Sequence, residues 1–147
     1  MDLSFLKWPI ILGVIALVVF LASNSGVNFM VKKFSADTPG VDIKKDEINE
    51  AGLSRVGGYC LRLVKFQKAN EIFNLAVSRY PNGKNALYNK YRMIRCAEKM
   101  GEFQRAVNIM RELIAVNAST VDSRVADNDN LRLRSEKLIE MHELEKR

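Results

Sequence analysis

Histidine is almost missing from this chain. The one copy, His142, stands in a charged C-terminal stretch. With only two cysteines beside it, the chain lacks the four ligands of a structural zinc site. No glycine-rich phosphate loop is present, because Gly57-Gly58 is not followed by Gly-Lys-Ser/Thr. Glu140 and Glu143 share a helix face, but within a mixed-charge run that reads as solvated surface. Met93, Met100 and Met110 fall at core-like spacings and read as packing. These absences predict no enzyme, no metal, no cofactor and no small-molecule substrate. Cys60 and Cys96 read as two small buried thiols in neighbouring helices, with a disulfide between them as the rival; one pair is not a disulfide framework.

Acids are scarce in the middle of the chain. From Ala51 to Ala118 twelve Lys or Arg face four acids, Glu71, Glu98, Glu102 and Glu112. The C-terminal stretch is balanced, so the net charge of +6 belongs to the central body. A basic body fits an acidic protein partner or anionic lipid. Nucleic acid is not expected, since no nucleic-acid motif is present and the aromatics form no stacking platform.

What is plentiful is apolar sequence at the front. From Phe5 to Ser23 the only charge is Lys7. These nineteen residues make a helix of about 28 Å, close to the hydrocarbon thickness of a bilayer. Trp8 and Lys7 stand where an interfacial aromatic and a snorkelling lysine belong, and Pro9 is tolerated in a first turn. The expectation is a transmembrane anchor that runs on through Val27 to Val31, with Lys32 and Lys33 at the opposite interface. A cleaved signal with its apolar region at Ile10 to Leu21 is the rival. Lipoprotein attachment is not supported, as no cysteine follows the run. Lysines after the run place the following domain in the cytoplasm, with the periplasm or another compartment as the alternative.

Four regions follow: an anchor with its juxtamembrane segment at 1–31, a linker at 32–46, a helical body at 47–118 and a C-terminal helix at 119–147. The fold class is all-α. Phe29 to Phe34 mixes aromatics with lysines and fits either a headgroup-level segment or a plain solvated linker. Asp46 is the expected cap of a helix near 47–64, in which Gly57 and Gly58 call for a close helix–helix approach. Further helices are predicted near 66–80, ending at Pro81-Asn82-Gly83, near 84–100, stopping at Gly101, and near 103–117. Ser119 or Thr120 caps the last region, with a break near Asp127 to Asn130. Leu131, Leu138, Met141 and Leu144 give that region a narrow apolar stripe. It suits a helix that closes a stack or, alternatively, one that pairs with a partner as a short coiled coil.

The body carries a repeated pattern. Ala69, Phe73, Ala76 and Pro81 put small, large and small residues on one stripe before a stop. Ala106, Met110, Leu113 and Ala118 echo it thirty-seven residues on. Together with Gly57 in the first unit and Gly101 in the second, this resembles the tetratricopeptide repeat (TPR) family, whose period is about 34 residues. The resemblance covers residues 50–118. Ile94 departs from the family's small position and Ala118 from its proline. The resemblance implies antiparallel helix pairs whose first helices line a concave groove for peptides. Carried onto this sequence, the groove positions are Ser54, Gly58, Leu61 and Arg62, then Tyr88, Tyr91, Arg92, Arg95 and Lys99. Ser54 and Gly58 stand where the family's carboxylate clamp needs Lys and Asn, so chaperone-tail binding is not implied. Two tyrosines among three cations suit an acidic or aromatic-bearing peptide, while interhelical packing by the tyrosines is the plainer reading. The expected role is a membrane-anchored scaffold that holds a partner protein at the bilayer. The alternative is a permanent accessory subunit of a larger membrane complex.

Overall fold

The computed structural model describes residues 4–144, with side chains from Lys7 onward. The described residues form eight helices and no strand, so the all-α expectation holds. The helices are α1 (Ser4–Ala22), α2 (Asn24–Ser35), α3 (Ile43–Arg62), α4 (Phe66–Arg79), α5 (Ala86–Lys99), α6 (Phe103–Ala115), α7 (Ala118–Val121) and α8 (Asn128–His142). The outer ends of the expected anchor and C-terminal helix, 1–3 and 145–147, lie outside the described residues.

Helices α2 to α6 stack in chain order, each on the next, and α8 closes the far side against α6. Small residues make the stacking close. Ala69, Ala76, Ala97 and Ala106 are buried, and Phe73 is wholly enclosed. A methyl group at Gly57 would overlap the Phe73 ring, so that glycine is the seat of the aromatic. Cys60 and Cys96 are both buried, free thiols.

Turns fall where the sequence marks them. Helix α4 ends before Pro81, and Gly101 after α5 takes φ +77. That angle suits a residue without a side chain. Other boundaries differ from expectation. Helix α3 begins at Ile43, not 47, because Asp42 accepts from the amides of Lys44 and Lys45 at 3.0 and 3.3 Å. Asp46 instead accepts from the Gly40 amide at 2.8 Å. Neither Ser119 nor Thr120 caps the last long helix. Asp127 does so, accepting from the Asn130 amide at 2.8 Å, so the break falls ahead of Asp127, and Asn128 to Asn130, where it was expected, form the first turn of α8.

The largest departure is at the front. The first helix does not run on to Val31; it stops at Ala22, and α2 starts anew with Ser23 as its cap. Asn24–Ser35 is amphipathic, not uniformly apolar. Val27 is wholly buried, Met30, Val31 and Phe34 pack behind it, and Lys32 and Lys33 are exposed. Phe34 occupies the space that a side chain at Gly52 would fill. The connection expected at 32–46 therefore shrinks to 36–42. It is held down by Asn49 Nδ2 on the Asp37 carboxylate at 3.0 Å and by the Arg79 guanidinium on the Asp37 carbonyl. In contrast, α1 leaves every side chain from Lys7 to Phe20 exposed, Trp8 at 70%.

Candidate functional site

Two helices set the floor of a groove of about 1030 Å³. From α3 come Ser54, Arg55, Gly58, Tyr59, Leu61 and Arg62. From α5 come Tyr88, Tyr91, Arg92 and Arg95, one helical turn apart along the same face. The two helices are joined under the groove, where Ser54 Oγ donates to Asn89 Oδ1 at 2.8 Å and both groups accept from the Arg92 guanidinium. At the N-terminus of α5, the buried Glu50 carboxylate accepts from the Asn85 amide at 2.6 Å and from its side-chain Nδ2 at 3.1 Å. A carboxylate at that end of a helix meets the positive pole of its dipole.

Arg92 is the central group. Its guanidinium lies 4.3 Å from the Phe73 ring centroid and 4.5 Å from that of Tyr88. No carboxylate pairs with it among the described residues. Burial pulls its pKa down to about 10, with the neighbouring Tyr88 opposing that shift. Arg124 stacks on Tyr88 too, its guanidinium 4.5 Å from the same centroid, so the tyrosine is in cation–π contact with two cations. Arg124 is braced by Asp122 at 2.7 Å and by Asn85 Oδ1 at 2.9 Å. The hydrogen bond from Arg124 holds the Asp122 carboxyl below its usual range. Arg134 of α8 completes the rim in a two-pronged pair with Glu98, at 2.8 and 2.6 Å.

Most of the sequence-predicted residues converge. Ser54, Gly58, Leu61, Arg62, Tyr88, Tyr91, Arg92 and Arg95 all line the groove. Lys99 does not; it is exposed at the C-terminal end of α5, beyond the lining. Tyr88 and Tyr91 are partly exposed to the groove and lie against each other along α5, with ring centroids 6.5 Å apart. Four cations of the site escaped the sequence reading: Arg55, Lys84, Arg124 and Arg134. Arg55 was within reach, being next to Ser54 on the groove-facing helix. Arg124 and Arg134 carried no signal, because they belong to a region without the repeat pattern. His142 stacks on Phe103, centroids 3.6 Å apart, away from the groove.

The membrane-interface residues separate into two groups. Lys7 and Trp8 are exposed on α1, and Lys32 and Lys33 are exposed on α2. Among the described residues no single helix is long and apolar enough to cross a membrane. Lys7–Ala22 and Asn24–Ser35 reach that length and composition only as a pair bent by 71°. No protein-family model, curated protein or solved structure matches this chain.

Proposed function

We propose that this protein is a membrane-anchored scaffold of TPR-like helical pairs that captures an acidic protein segment in its basic groove. The observation that carries this reading is a charge imbalance on one concave face. Arg55, Arg62, Lys84, Arg92 and Arg95 line it with no carboxylate partner among the described residues, interleaved with Tyr59, Tyr88 and Tyr91. Unpaired guanidiniums offer forked donors to carboxylates, and tyrosines add area at little entropic cost. The apolar, all-round-exposed α1 serves as the anchor. Lysines on the body side of α1 favour a cytoplasmic groove. Binding, not catalysis, is the role, and the ligand is protein, not nucleic acid.

The test uses the full chain in lipid nanodiscs and two labelled peptides with the same aromatics, one rich in Asp and Glu and one with Asn and Gln in their place. The acidic peptide binds, and its affinity falls steeply as salt rises. Arg62→Glu with Arg95→Glu, both at exposed positions, lowers that affinity by at least about tenfold while leaving the helical spectrum unchanged. Equal binding of the two peptides would sink the proposal.

One observation favours the accessory-subunit reading. Leu133 and Met141 stand exposed on α8, at 67% and 62%, eight residues apart on one side of the helix. A permanent subunit would drop out of its assembly when α1 is exchanged for an unrelated span; a groove-based scaffold would keep its peptide.

A further inference from the structure

The chain turns by 71° between α1 and α2, and the turn is built rather than loose. Ser23 Oγ donates to the Phe20 carbonyl at 2.6 Å and accepts from the Gly26 amide at 3.1 Å. A side chain at Gly26 would strike the Phe20 carbonyl and the Leu21 backbone, so glycine permits the approach. From the α3–α4 turn, Lys65 Nζ donates to the Ala22 carbonyl and to Asn24 Oδ1, both at 2.8 Å. Val27, wholly buried, pins the next turn of α2 to the body. The elbow therefore moves with the helical stack as one piece.

We propose that α2 lies along the membrane surface that α1 enters, with Phe29 in the boundary between headgroups and acyl chains and Lys32 and Lys33 on the phosphates of anionic phospholipid. This rests on the reading of α1 as the anchor. If α1 follows the bilayer normal, a 71° turn leaves α2 near the membrane plane, and the roughly 20° tilt common in spans brings it flat.

The faces of α2 agree with this placement. Gly26 is on the inner side of the elbow, against Phe20 and Leu21, and that side looks toward the bilayer beside α1. Phe29 and Lys33 follow Gly26 by three and seven residues, so they share its side. Val27, Met30, Val31 and Phe34 point to the core. Phe29 is 64% exposed, an aromatic that the fold leaves uncovered between exposed polar neighbours. Helix α2 has no acidic residue to oppose anionic lipid. An amphipathic helix with an outward aromatic and flanking lysines is the chemistry of an interfacial segment, and each lysine near such a surface contributes roughly fivefold in binding.

The experiment places the full chain in vesicles of phosphatidylcholine with phosphatidylglycerol whose lipids are brominated just below the headgroup. In the native chain Trp8, the sole tryptophan, reports the anchor. A Phe29→Trp variant in a Trp8→Phe background reports α2, and Val121→Trp in the same background reports the far side of the body. Quenching is expected at position 29 and not at 121. It is expected to weaken severalfold in pure phosphatidylcholine or with Lys32→Glu and Lys33→Glu. Quenching of Trp8 with none at position 29 overturns the interfacial placement and leaves the anchor standing. Loss of quenching at both positions removes the anchor and the placement together.

Discussion

Gly57 and Gly58 are neighbours with different duties. A methyl at 57 would collide with the ring of Phe73, which is enclosed on every side, whereas one at 58 would meet only a terminal nitrogen of the Arg92 guanidinium, at 2.8 Å. Gly57→Ala should therefore lower unfolding free energy by about 1–2 kcal/mol in urea titrations, the overpacking cost less the helix-propensity gain of alanine. Gly58→Ala should cost clearly less. The buried thiols supply a second prediction. Burial pushes Cys96 up from about 9 to about 11 and raises Cys60 in the same direction. Between those values the folded chain holds protons that the unfolded chain has released, so stability falls as pH rises from 9. Arg92, pulled down to about 10, acts with the opposite sign above that pH. Melting temperature should thus decline from pH 8 to pH 10, and Cys96→Ala should flatten the decline.

Two helix ends at equivalent points of the repeated units show the same motif built from different residues. After α3, Val64 donates to the Leu61 carbonyl at 3.2 Å and Lys65 to the Cys60 carbonyl at 2.9 Å. After α5, Gly101 donates to Glu98 at 3.2 Å and Glu102 to Ala97 at 2.8 Å. Both are Schellman ends, which need a left-handed residue. Gly101 supplies φ +77 freely, but Val64 is forced to φ +60 with its branched side chain 67% exposed. Left-handed geometry costs a residue with a side chain about 1–2 kcal/mol, and glycine loses part of that benefit to unfolded-state entropy. Val64→Gly should raise stability by roughly 0.5–1 kcal/mol, and Gly101→Val should lower it by more. Calorimetry on the two variants decides the point. A loss of stability in Val64→Gly would mean that Val64 packs in a way its exposure does not reveal.

At the scale of the molecule, the stack from α3 to α6 was legible because Ala69, Phe73 and Ala76 repeat at helical spacing and Pro81 and Gly101 punctuate them. The α5 half of the groove was legible for the same reason. Other parts were not. Val27 to Val31 has the composition of a continuing span, and what ends α1 is a serine cap, a glycine approach and a lysine more than forty residues away. Arg124 and Arg134 reach the groove only through the packing of α7, its following loop and α8. The elbow also bears on how strongly the groove needs to bind. Val64 and Phe66 line both the groove and the hollow beside Asn24 and Asn28, so one end of the groove opens at the elbow. With a single residue between α1 and α2 there is no slack to let the body wander. If α1 is the membrane anchor, a ligand segment tethered to the same bilayer shares a thin layer with the groove. Its effective concentration is set by that confinement and reaches the millimolar range for short tethers. A groove that holds free peptide only weakly would be filled most of the time by a membrane-bound partner.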